Sequence, residues 1–149
     1  HNMKKKIFLL IVGIILLTGC SNSNKFYLDK KYYNQGDFIS ATSKTIKDLE
    51  DQKESYIVYT YNYFCTFPTP CEDIFKNVFK KYKLDVYSLT YDEMKKTFIS
   101  DTVKFAPSVV IINNGKIITY LDAESDADYE IYQYETKFDN WLNNYIYLT

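Results

Sequence analysis

Ten consecutive uncharged residues, Ser55 to Phe64 (SYIVYTYNYF), constrain this chain more than any other stretch. Aromatic and β-branched side chains fill both alternating sets of positions, so neither face of the strand is left for water. Such a strand belongs in the middle of a sheet that is covered on both sides. Cys65–Pro70 follows as a loop with two prolines. From Cys71 the apolar residues change period, with Ile74, Phe75, Val78, Phe79 and Tyr82 at helical spacing.

The elements on either side extend this pattern. Asp37–Thr42 reads as a short strand, and Thr42 or Ser43 can cap a helix over Lys44–Lys53 that carries Ile46 and Leu49 on one face. Leu84–Thr90 is a second core strand, and Tyr91–Ser100 returns to helix with Tyr91, Met94 and Phe98 as its stripe. Ser108–Asn113, the Asn114-Gly115 turn and Lys116–Asp122 form a hairpin. The last segment places Ile131, Tyr134, Phe138, Trp141, Tyr145 and Leu148 on one face of a long amphipathic helix. The order β-α-β-α-β-α-β-β-α makes an α/β domain. Helices between the first strands imply parallel pairing through right-handed crossovers, and the hairpin adds antiparallel strands to a mixed sheet.

Composition removes several kinds of chemistry. All 18 basic residues are Lys, and His1 is the only His. A His-based triad, a His/Cys zinc site and bidentate Arg clamps on phosphate therefore lack their residues. With 18 Lys against 19 Asp+Glu there is no strong basic field, so nucleic acid is not an expected partner. Only Gly36 and Gly115 remain beyond the leader, too few for a phosphate-cradling loop.

The N-terminus carries an address. His1-Asn2 ahead of Met3 reads as a cloning remnant, followed by Lys4-Lys5-Lys6 and the apolar run Ile7–Leu17. Eleven residues rise only ~16 Å as a helix, about half of the ~30 Å hydrocarbon core, which suits a signal peptide better than a transmembrane anchor. The run ends in Leu17-Thr18-Gly19-Cys20, which resembles the lipobox of bacterial lipoproteins. By that resemblance residues 1–19 are removed, Cys20 carries the lipid, and the protein is held on the outer face of the cytoplasmic membrane. Two acyl chains give the stable hold that one cannot. Residues 20–36 are then the lipidated Cys and its tether, and residues 37–149 the domain.

The element order resembles the thioredoxin fold, a three-layer sandwich with helices on both faces of a central mixed sheet. Two local features sharpen the resemblance: the loop Phe64-Cys65-Thr66-Phe67-Pro68-Thr69-Pro70-Cys71 between central strand and helix, and Ala106-Pro107 ahead of the hairpin. Thioredoxins carry a cis-proline at the second place, facing the cysteines and docking substrate backbone. The resemblance thus implies that Pro107 is cis and docks substrate.

At the cysteines the chain departs from the family. Thioredoxins use Cys-x-x-Cys, whereas this chain has Cys65-x5-Cys71. Matching Cys71 to the family's second cysteine puts Pro68 at the nucleophile position, with Cys65 three residues earlier. Glu72 and Asp73 beside Cys71 oppose the helix dipole that would favour its thiolate. The central strand also lacks the family's buried acid.

With Cys20 lipidated, Cys65 and Cys71 are the remaining cysteines, in an oxidising compartment and close enough in sequence to form a disulfide. Two functions are open. One is a thiol–disulfide oxidoreductase that needs no bound cofactor and acts on a protein or peptide of the cell envelope. The other is a non-catalytic binding or adaptor lipoprotein in which the disulfide is a staple. Phe64 and Phe67, with Tyr61 and Tyr63, are candidates for an apolar rim around the loop.

Other candidates are weaker. The acidic run from Asp122 to Glu130 lacks the Gly and Glu of a calcium loop, having Ala127 and Gln133 there, and reads as a solvated loop. The sixteen tyrosines fall mainly on core stripes. Lys30-Lys31 reads as a solvated charge pair.

Overall fold

The computed structural model describes residues 24–62, 68 and 70–148. Five strands form one mixed sheet: β1 (Phe38–Ser40), β2 (Tyr56–Tyr61), β3 (Val86–Thr90), β4 (Ser108–Asn113) and β5 (Lys116–Tyr120), in the order β1-β3-β2-β4-β5. β1 and β2 both run parallel to β3, with Phe38 opposite Val86 and Thr60 opposite Leu89. β4 lies antiparallel to β2, with Tyr56 opposite Ile112 and Thr60 opposite Ser108, and β5 closes the hairpin.

The uncharged run occupies the sheet centre, as its composition demands. Tyr56, Ile57 and Val58 are fully buried and Tyr59 nearly so. Of the expected Ser55–Phe64 strand, the last three residues lie outside or beyond the ladder: Asn62 has left it, and residues 63 and 64 fall outside the described part. The hairpin turns at Asn114 and Gly115, both with positive φ (52° and 78°), the geometry of a two-residue turn that matches strand twist.

Helices α1 (Ser43–Asp51) and α2 (Cys71–Lys81) connect the parallel strands. The chain crosses from β1 to β2 in one direction and from β2 to β3 in the other, so right-handed crossovers put the two helices on opposite faces. Thr42 caps α1 with a reciprocal capping box to Thr45. On α2 the predicted stripe is buried at Ile74, Phe75, Val78 and Phe79. Phe75 and Phe79 meet Phe138 at ring-centroid distances of 4.6 and 5.5 Å, which fixes the C-terminal helix on the same face.

Two expected helices are broken. The Tyr91–Ser100 segment forms only α3 (Tyr91–Met94) and a separate 3-10 turn at Phe98–Asp101. Thr97 stops the helix there: its hydroxyl donates to the Met94 carbonyl and caps the Ile99 N–H of the next turn. The long C-terminal helix is two, α4 (Tyr129–Gln133) and α5 (Glu135–Asn143), separated by an extended Tyr134 (φ −127°, ψ 123°). That break moves the buried position from Tyr134, which is 57% exposed, to Tyr132, which is fully buried. Beyond α5, Ile146 leaves the helix to bridge Phe26.

Residues Phe26 to Gly36, which the sequence pattern assigns to the tether, pack onto the sheet. Leu28 and Tyr32 are buried, and Tyr33 bridges Leu84. The Asp85 carboxylate ties down the end of this segment. It accepts the N–H groups of Gln35, Gly36 and Asp37 at 3.2, 3.0 and 3.0 Å and the Asn34 side-chain amide at 3.1 Å. Burial acts to raise the Asp85 pKa, but these donors outweigh it and hold the carboxyl below its usual range.

Lys31 is likewise no free surface charge. It pairs with the buried Glu54 at 2.6 Å, and Glu54 also accepts the Tyr32 hydroxyl at 3.0 Å. Burial alone would push the Glu54 carboxyl up, and these two donors pull it below its ordinary value.

Candidate functional site

The parallel strands β2 and β3 end on one side of the sheet, and β4 begins there. This is where an open α/β sheet presents its crevice. Cys71 is the first residue of α2, preceded by Pro70, and is fully buried. As a helix-opening residue it sits at the positive end of the helix dipole. The exposed Glu72 lies within 3.7 Å of Lys76. Cys65, Phe64 and Phe67 lie outside the described residues, as does Cys20.

Pro107 stands at the entry to β4. The Ala106–Pro107 peptide bond is cis, and Pro107 is buried. Each neighbouring carbonyl has a designated donor. The Pro107 carbonyl accepts the Tyr132 hydroxyl at 2.6 Å inside the core, and the Ala106 carbonyl accepts the Asn62 side-chain amide at 3.4 Å. The Thr60 hydroxyl reaches the Ser108 carbonyl at 3.4 Å, and Tyr91 holds the incoming loop through the Lys104 carbonyl at 3.3 Å. The Ser108 hydroxyl is buried with no hydrogen-bond partner among the described residues.

A chain of ring contacts connects the two halves of the site. Phe75, one turn along α2 from Cys71, meets Tyr132 at 5.7 Å, and Tyr132 carries the hydrogen bond to Pro107. The first turn of α2, α4 and the start of β4 are thereby locked to each other.

Beside Pro107 opens a cavity of about 310 Å³, lined by Asn62, Tyr91, Phe105, Ala106, Pro107 and Glu124. A smaller hollow of about 120 Å³ adjoins it through the same Asn62 and Tyr91 and reaches Tyr61 and Asp92. Phe105 is 47% exposed on this rim. The cavity therefore offers an aromatic wall and the carboxylate of Glu124, while Asp92 pairs with Lys95, whose ammonium lies 4.9 Å from the Tyr91 ring.

Sequence reasoning singled out Cys71 and Pro107 here but not Tyr132, Asn62 or Phe105. Tyr132 is invisible to the stripe of one unbroken helix, which skips it. Phe105 was visible only as the residue preceding Ala106-Pro107. Among the described residues, no three Cys, His, Asp or Glu side chains group as metal ligands.

No protein-family model matches the chain, and comparison with curated proteins gave no match. Solved structures do match. A mutant thioredoxin from Halobacterium salinarum shares 13% identity over 78% of this chain and 96% of its own length, with a TM-score of 0.54. A thioredoxin from Trypanosoma brucei brucei (8% identity, 79% of this chain, 99% of that one, TM-score 0.49) is also similar. So is one from Schistosoma mansoni (21%, 65%, 93%, TM-score 0.46). At these identities the likeness speaks to architecture. With the strand order above, it makes this an α/β protein of thioredoxin-like fold.

Proposed function

We propose that this protein is a membrane-anchored, extracytoplasmic thioredoxin-like lipoprotein that exchanges disulfides with envelope or secreted proteins through Cys65 and Cys71. The observation that carries this reading is the placement of Cys71. It opens the helix that follows the central strand, and Phe75 and Tyr132 connect that helix to Pro107.

Full burial of Cys71 supports giving it the resolving role. The Cys65 thiolate attacks one sulfur of a partner disulfide, forming a mixed disulfide and releasing the partner's other sulfur as thiolate. The Cys71 thiolate then attacks the Cys65 sulfur, which closes the Cys65–Cys71 disulfide and releases the second partner thiol. Two electrons pass to the partner, and an external dithiol must return them. Pro107 and the cavity beside it receive the extended backbone of the partner. Cys20 holds the protein to the membrane through its lipid.

One observation favours the adaptor reading, in which the disulfide is a staple: a buried Cys71 flanked by Glu72 and Asp73 is poorly placed for attack. Insulin reduction and the reduction potential of the pair separate the two. Exchange requires turnover that is lost in both Cys65→Ser and Cys71→Ser, with a potential well above about −300 mV. A potential below that value with no turnover selects the staple.

A further inference from the structure

The two ends of the sheet differ in charge. Opposite the cysteine helix, four chain segments converge: the N-terminal segment, the α1–β2 turn, the α2–β3 turn and the hairpin tip. The Asp29 N–H donates to the Ser55 carbonyl, the Asn34 N–H to the Lys83 carbonyl, and the Gly115 N–H to the Glu54 carbonyl. Lys25, Lys30, Lys53, Lys83 and Lys116 all lie on these segments. None of them has a carboxylate partner among the described residues, whereas Lys31, Lys44, Lys47, Lys76, Lys80, Lys81, Lys95, Lys96 and Lys137 all do. Lys104, the other unpaired lysine, lies at the opposite end beside Phe105. The cavity end instead exposes Glu124, which has no ion pair among the described residues, and Asp92, which pairs with Lys95 at 3.0 Å.

Aromatic surface accompanies the unpaired lysines. Tyr27 is 60% exposed and stacks on the exposed Tyr147 at 4.6 Å, with the Lys25 ammonium 5.9 Å from the Tyr147 ring. Tyr27, Leu28, Lys30 and Tyr33 line an apolar hollow of about 300 Å³. Tyrosines with an apolar body and a polar tip, beside lysines, suit the headgroup layer of a bilayer.

The lipid attachment proposed above fixes which surface this face can meet. Only Ser21, Asn22 and Ser23 lie between Cys20 and Asn24, where the described chain begins, and the four Cα–Cα steps span at most ~14 Å. The segment that continues from Asn24 is the one that carries Lys25, Tyr27 and Lys30.

We propose that this lysine–tyrosine end of the domain seats on an anionic bilayer surface. The six-residue β2 then lifts the cysteine loop ~20 Å away from the lipid and turns the aromatic cavity outward. The inference rests on Cys20 lipidation and adds an orientation to it. Neutralised lysines near an anionic surface hold the domain in one pose, where a flexible tether alone would let it tumble.

The test uses the full lipidated protein in vesicles of phosphatidylcholine and phosphatidylglycerol (3:1), with phosphatidylcholine vesicles as reference. A neutral acylating reagent and mass spectrometry report the labelling of each lysine. In the anionic vesicles Lys30, Lys53, Lys83 and Lys116 are expected to label at least five-fold more slowly relative to Lys104 than in the reference. The double variant Lys30→Glu/Lys53→Glu, altered only at exposed positions, is expected to lose that protection at Lys83 and Lys116.

Equal labelling of Lys83, Lys116 and Lys104 in protein whose mass shows diacylglycerol on Cys20 overturns the orientation and leaves the anchor standing. Protein with unmodified Cys20 overturns both. Protection that persists unchanged in the double variant, or that appears only when a second protein is added, also overturns the bilayer as the occupant.

Discussion

Replacing Asp85 tests how the N-terminal segment is held to the domain. In Asp85→Ala the N–H groups of Gln35, Gly36 and Asp37 lose their acceptor in a part-buried turn, while the Asn34 amide can turn to water. At about 1 kcal/mol for each stranded N–H, the cost is about 3 kcal/mol, or roughly 10 °C in Tm for a domain of this size. Asp85→Asn keeps one acceptor oxygen and loses only the charge, so its cost is about 1–1.5 kcal/mol.

The pH dependence follows from the direction of the shift. Asp85 titrates below its ordinary value of 3.8 when folded, so its stabilisation is complete above that pH and fades as pH falls through the folded pKa. Urea unfolding followed by Trp141 fluorescence, at pH 7 and at several points down to pH 2, reads both effects. An alanine variant within about 0.5 kcal/mol of the parent at pH 7 would refute the reasoning. So would a gap that stays constant down to pH 2.

Three other substitutions probe the packing. Gly36 has φ +84°, and a Cβ there would stand 2.7 Å from the Lys80 Cα and 2.8 Å from the Phe79 carbonyl oxygen. Gly36→Ala is therefore expected to cost more than about 2 kcal/mol, and Gly115→Ala less, since its nearest contact is 3.3 Å; urea midpoints give the order. Tyr132→Phe strands the buried Pro107 carbonyl and is expected to cost about 1–2 kcal/mol in the same assay, with the aromatic packing on Phe75 retained.

Strong local patterns in the sequence became the sheet and its connections. An uncharged β-branched run can only be central, Asn114-Gly115 can only turn, and the stripe from Ile74 to Phe79 is buried as its spacing requires. Illegible features depended on tertiary partners. Nothing local marks Tyr134 as the break between α4 and α5. The break is seen only with Tyr132 turned toward Pro107 and Ile146 turned toward Phe26. Residues Phe26 to Gly36 read as a tether because they continue the polar Ser21–Asn24 run, although Phe26, Tyr27, Leu28, Tyr32 and Tyr33 are apolar or aromatic. They pack because Asp85 and Glu54, far along the chain, satisfy their backbone and Lys31. In the site, Cys71 and Pro107 were legible from residue type and position, while Asn62 and Phe105 took their places only once the β2 end and the β4 entry were adjacent.

The most direct test of disulfide exchange is to trap its intermediate with a small disulfide-bonded peptide of defined mass. In the full-length protein, Cys71→Ser removes the resolving thiol, so a mixed disulfide between Cys65 and one peptide sulfur should accumulate and be seen by intact mass spectrometry. Cys65→Ser should form none, because Cys71 is buried. No adduct in either variant, or an adduct at Cys71 in Cys65→Ser, would contradict the account.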